Sequence, residues 1–205
     1  MLSSITPLGE RGRGNRFRIA ATAHVVGSTL GGIVVGVLAG AMGGAIRLVT
    51  GGWSARVALL AIALAALAAA FLDLVVRPSR LPCWHRQVNE LWLDEYRPWV
   101  YAGGFGFQLG MGVVTIVTSA VTYAWLVATV AQPGWWSAVV VGATFGLVRG
   151  ASILLVSRVD RPARLLAAHQ TFARIARPAA LGAGVGVGIV GSIAMGVVVL
   201  SGAGA

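Results

Sequence analysis

A few side chains set inside otherwise apolar stretches are placed to do chemistry: His24, Asp73, Gln108, Thr115, Ser119, Thr122 and Arg149. Gln108, Gly112, Thr115, Ser119 and Thr122 step by four and three residues, so on a helix they share one face. Leu109, Val113, Val117, Ala120 and Ala124 occupy the opposite face. A helix wrapped in lipid needs no such stripe, so the polar face meets other helices or a wet path for a solute. Arg149 is a guanidinium inside an apolar run. Such a group either serves a functional site or snorkels along its stem toward the headgroups. Asp73 lies one helical turn before Arg77, which suits a local interfacial pair, with a proton relay as the alternative. His24 is either a hydrogen-bonded structural residue or a functional group. Taken together, these residues form a buried polar network or the inner end of a substrate or proton path.

The motifs of most enzymes are missing. There is no phosphate-binding Gly-Lys-Ser/Thr loop, HExxH, GxSxG or His pair suited to a haem. Cys83 is the single cysteine, which excludes an intrachain disulfide, a CxxC pair and a cysteine metal cluster. Catalysis, a metal and a cofactor are therefore not expected.

The elements that must position the polar residues are transmembrane helices. The 205 residues are 57% hydrophobic and 11% charged, with 29 glycines, a composition foreign to soluble domains. The net charge of +10 comes wholly from arginines lying between the apolar runs. They read as topology signals and headgroup contacts, not as a nucleic-acid surface. The expected class is all-α, a polytopic bundle of about five spans at 19–46, 55–76, 100–130, 135–156 and 179–200. A cytoplasmic segment, 1–18, precedes the single membrane domain, 19–205. The stretch 100–130 holds no charge over about 31 residues, which as one helix would run about 46 Å against a hydrocarbon core of about 30 Å. It must tilt, extend or bend, and its glycine-dense start, from Gly103 to Gly112, is the place for a break. Residues 77–99 and 158–177 read as amphipathic helices lying in the headgroup plane.

Glycine ladders mark where helices approach closely: Gly32, Gly36, Gly40 and Gly44 in the first span, Gly142, Gly146 and Gly150 in the fourth, Gly184 and Gly188 in the fifth. The arginine-rich N-terminus, 77–99 and 158–177 predict a multi-pass chain with the N-terminus inside and the C-terminus outside. The turn holding Arg47 and Arg56 is the exception to that pattern.

Two glycine-rich spans, His24-Val-Val-Gly-Ser-Thr-Leu-Gly-Gly and Gly104-Phe-Gly-Phe-Gln-Leu-Gly-Met-Gly, each open a group of spans. Gly142-Ala-Thr-Phe-Gly-Leu-Val-Arg-Gly follows the second. Over about residues 19–156 this resembles the CcdA and DsbD-centre proteins of the LysE-like transporter group. The resemblance implies repeated three-helix units in a bacterial cytoplasmic membrane and transfer of reducing equivalents. Electron-carrying members use a cysteine in each repeat, near a proline, and residues 113–119 offer neither. A thiol–disulfide carrier is thereby disfavoured. The expected function is a carrier for a small polar or anionic solute, with Arg149 and the polar stripe lining its path. The alternative is an accessory or assembly subunit of a larger membrane complex. Its partners are the lipid bilayer and another membrane protein or a second copy of the chain.

Overall fold

The computed structural model describes residues 5–76, 92–112 and 119–203, and these are helical throughout, with no strand among them. The elements are α1 (Pro7–Gly12), α2 (Phe17–Thr50), α3 (Ala55–Leu74), α4 (Trp92–Glu95), α5 (Pro98–Met111), α6 (Val121–Val130), α7 (Trp135–Ala151) and α8 (Pro162–Ala203). A 3-10 turn, Ser152–Val156, continues α7. Four stretches are long and apolar enough to cross a membrane: Phe17–Thr50, Ala55–Leu74, Trp135–Val156 and Pro162–Ser201. The chain is an all-α protein built to sit in a bilayer.

Local sequence explains the boundaries. Thr6 caps α1, accepting from the Gly9 amide, and Pro7 fills the first helical position where no N–H is needed. α2 stops at Gly51 and Gly52, which take φ of 72° and 93°. Ser54 then caps α3 by accepting from Val57 N. α8 runs through Pro178 without ending. In an all-apolar setting a proline is tolerated inside a helix when neighbours re-satisfy the freed carbonyl.

The stretch 100–130 is interrupted in its glycine-dense start, the place expected for a break, and two other sequence expectations change here. α5 ends at Met111, Gly112 turns to φ 73°, and α6 starts only at Val121. The polar stripe is therefore not one continuous face: Gln108 lies on α5, Ser119 precedes α6, Thr122 lies on α6, and Thr115 falls outside the described residues. Nor do residues 158–177 form a separate interfacial helix, because from Pro162 they are the first half of α8. The interfacial helix expected at 77–99 lies mostly outside the described residues, as do Arg77 and Cys83.

The chain divides into two compact units, each assembled from three segments. The first comprises Met1–Val35, Trp84–Ile116 and Gly142–Ala176. Its core joins Ile5, Ala20, Tyr101, Ala102, Phe105 and Ile153. Here α2, α5 and α7 meet backbone to backbone. A Cβ on Gly27 would strike the Gly103 carbonyl, one on Gly32 that of Gly142, and one on Gly106 that of His24. Ser28 is the tightest point, fully buried. A Cβ on either Gly110 or Gly146 would strike its carbonyl, and one on Gly150 would lie 2.8 Å from its Cβ. The Ser28 hydroxyl donates to Gly146 O at 2.6 Å.

The second unit comprises Gly36–Cys83, Val117–Val141 and Arg177–Ala205. Gly36 and Gly40 lie against Ala138 of α7, and Gly43 against the Val130 carbonyl. Gly44, placed in the ladder by its spacing, faces open space; the contact has moved to Gly43, one position earlier. Gly184 and Gly188 admit Leu74 and Ala70 of α3, and Gly191 meets Ala66 and Leu67. α3 also packs along α6.

Glycine substitutions separate these contacts from mere composition. Gly106→Ala should destabilise the folded protein by about 1–3 kcal/mol, because only a backbone shift makes room. Gly186→Ala, with open space beside it, should be neutral or gain up to about 1 kcal/mol of helix propensity. Thermal unfolding in detergent reads both.

Candidate functional site

The interruption of the third apolar stretch creates a helix start that something must satisfy, since the first amides of a helix have no partner within it. For α6 the partner is Asp73, from the last turn of α3. One carboxylate oxygen accepts from the Ser119 hydroxyl at 2.6 Å and the other from the Ala120 amide at 2.7 Å. The Ser119 oxygen in turn accepts from the Val121 amide at 3.2 Å. Asp73 thus caps a helix 46 residues further along the chain, and its negative charge sits where the helix dipole is positive. Thr122 follows in the first turn, buried. Thr129, fully buried, bonds back to the Trp125 carbonyl.

The remaining candidates lie in the first unit. His24 is buried on α2, its backbone pressed by Gly106. Neither ring nitrogen makes a hydrogen bond that meets strict geometry. Gln108 is half-buried on α5. Arg149 is half-buried on α7, with its guanidinium carbon 5.3 Å from the Phe145 ring centroid, within cation–π range. Among the described residues its guanidinium makes no hydrogen bond or ion pair.

Sequence reasoning missed the most heavily built polar cluster among the described residues. Glu10, in the supposedly plain N-terminal segment, is completely buried. Its carboxylate accepts from the Tyr101 hydroxyl at 2.5 Å and from Arg13 Nη2 at 2.7 Å. Arg13 also lies over the Tyr101 ring, 5.9 Å from its centroid. Burial disfavours the charge on Arg13, but the Glu10 carboxylate and the Tyr101 hydroxyl beside it together outweigh burial and hold its pKa above the ordinary value. A further bond, Leu8 N to the Val159 carbonyl at 3.0 Å, fastens α1. The usable signal was Thr6-Pro7, a helix start. An acid in the first turn of that helix, followed three residues on by an arginine, fits a docked helix better than a loose tail. Among the described residues no three His, Cys, Asp or Glu side chains gather as a metal site.

With the geometry in place, the chain can be set against known proteins. No protein-family model, curated protein or solved structure matches it. The likeness to CcdA-type proteins therefore rests on the sequence motifs alone.

The Glu10 cluster makes a measurable demand on stability. Glu10→Gln leaves Arg13 facing a neutral amide, and because Arg13 is one-quarter exposed the loss should be about 2–3 kcal/mol, below the 3–5 kcal/mol of a fully buried pair. Tyr101→Phe should be non-additive with it by more than about 0.5 kcal/mol in a double-mutant cycle of unfolding free energies.

Proposed function

We propose that the chain is a small integral-membrane carrier whose working element is the interrupted third span. The observation that carries this reading is the break itself. α5 and α6, with 14 and 10 residues, run about 21 Å and 15 Å and are each too short to cross a core of about 30 Å. Irregular backbone at membrane depth is tolerated where it is buried in protein or lines a cavity, and broken helices mark solute sites in many carriers. Asp73 and Ser119 hold one side of the break. The cargo is a small polar or anionic solute, and Arg149 is its cationic contact. The architecture follows the CcdA and LysE-like arrangement without redox cysteines, in a bacterial cytoplasmic membrane.

An accessory role is the second reading, and one observation favours it. Gly182 and Gly186, four residues apart on α8, have open space where a neighbouring helix would fit. A partner subunit or a second copy would fill that face.

Flux in proteoliposomes decides between them. Uptake of labelled phosphate, sulfate and amino acids should reveal a transported solute. Asp73→Asn and Arg149→Gln, if folded, should each slow it by about tenfold or more, the equivalent of about 1.4 kcal/mol in the barrier. Unchanged flux in both variants refutes the path. A folded protein that moves none of these solutes yet co-purifies with a stoichiometric partner in mild detergent supports the accessory role. Topology is tested separately. Reporter fusions at Ile5 and Ser201 should give opposite localisation, inside and outside; the same side for both ends refutes the five-crossing arrangement.

A further inference from the structure

Two arginines flank the turn between α2 and α3, Arg47 in the last turn of α2 and Arg56 in the first turn of α3, and among the described residues of the second unit no acid answers them. In the second unit Asp73 is the only carboxylate among the described residues, and it is spent on the start of α6. Arg56 is tied to the Ser201 carbonyl, which leaves its charge uncompensated. Arg47 is held more elaborately. Its Nη1 donates to the Gln132 carbonyl at 2.7 Å, and its guanidinium lies 5.5 Å from the centroid of Trp53. A guanidinium has five N–H donors in a rigid fork, and one is used here. The group is fixed in place and still lacks an anion.

Beside it opens a cavity of about 430 Å³, within the range of ligand pockets. Arg47, Trp53 and Gln132 form its polar end. Its long wall is apolar: Ala55, Ala58, Leu59 and Ile62 of α3. These residues fall at i, i+3, i+4 and i+7 and so form one continuous stripe along the helix. A free inorganic anion would have no use for such a wall, and a hydrocarbon would have no use for the clamped guanidinium. The two features together match an amphiphile with a phosphate at one end.

We propose that this slot holds a phospholipid, its phosphate on Arg47 and the upper part of one acyl chain against the α3 stripe. Trp53 supplies an aromatic ring of the kind that sits at headgroup level. The site also gives a reason for Arg47 beside this turn, the one exception to the arginine pattern of the other connections: it serves contact with a headgroup and not orientation. The inference is independent of the carrier reading and holds in either leaflet.

The test uses the full chain, delipidated in a maltoside detergent and read by native mass spectrometry and thermal unfolding. Dioleoyl phosphatidylglycerol should be retained as a single bound lipid and raise the melting temperature. Dioleoylglycerol, which has the chains without the phosphate, and glycerol phosphate, which has the phosphate without the chains, should do neither. Arg47→Gln should weaken retention by about tenfold. Ala58→Phe, which fills the slot and leaves Arg47 in place, should do the same. Equal binding of glycerol phosphate would mark a free-anion site, and equal binding of dioleoylglycerol an unspecific greasy groove; either overturns the proposal. So does undiminished phosphatidylglycerol retention by both variants, each checked to melt normally without lipid.

Discussion

A bilayer core offers the backbone no hydrogen-bond partner and gives apolar side chains no reason to leave lipid for one another. Helices must therefore be held by how closely their backbones can approach, and this chain depends on that constraint most at Ser28. Three helices converge there. Gly110, Gly146 and Gly150 leave out the side chains that would keep them apart, and the Ser28 hydroxyl closes the gap with a bond to Gly146 O. Close approach multiplies weak dispersion contacts along the whole interface. A side chain added at Gly110 or Gly146 would meet the Ser28 backbone, so such a substitution must move backbone. The small core follows from the same cause. Alanine recurs at the buried positions because anything larger would reopen the space the glycines removed.

That tightness has a consequence for the third apolar stretch. A helix of its full length would overrun the membrane, and Gly112, with its positive φ, provides the exit from α5. Ending one helix and starting another in an apolar setting exposes amide groups, and the second start must be satisfied from within the protein. Asp73 does this with both carboxylate oxygens. The charge is then no isolated intramembrane carboxylate in need of a cation. It is stabilised by two hydrogen bonds and a helix dipole.

How much of this was legible follows from range. The helical class, four of the long apolar elements and the glycine faces are written in local composition and four-residue spacing; α2, α3 and α7 follow the expected spans closely, while α8 starts at Pro162, well before the expected 179. Gly112 was visible as part of a glycine-dense start, but what satisfies the start of α6 was not, because it comes from Asp73, 46 residues before Ser119. Gly44 shows the limit of spacing: the ladder continues in sequence while the neighbouring helix has already shifted to Gly43. Asp73 is read from charge as a partner of Arg77, which lies outside the described residues, and its bonds to the Ser119 hydroxyl and the Ala120 amide leave no trace in sequence, although a backbone amide can serve a carboxylate as well as a cation can. Ser28 was present in a quoted motif, and nothing local distinguishes it from Thr29, whose hydroxyl only bonds back to Val25 O. Glu10 was overlooked because its segment is polar and rich in arginine, and burial of a charge through Tyr101, 91 residues away, leaves no periodic trace.

The two well-placed acids, Glu10 and Asp73, bear on the charge balance of the whole chain. Glu10 neutralises Arg13 inside the first unit, whereas the bonds of Asp73 among the described residues go to the Ser119 hydroxyl and the Ala120 amide. Another pair, Asp160 with Arg164, is exposed and contributes at most about 1 kcal/mol. A net charge of +10 is thus left mostly to the surroundings, in side chains whose long stems can lie along apolar surface while the guanidinium reaches the boundary. Such a protein is electrostatically incomplete without anions, and a membrane supplies them as headgroup phosphates at a fixed depth. Each uncompensated arginine near that depth then gains roughly 1 kcal/mol from an anionic surface. Small terms of this kind, summed over several arginines, are enough to fix the axial position of helices whose glycine-lined faces set only how closely they pack.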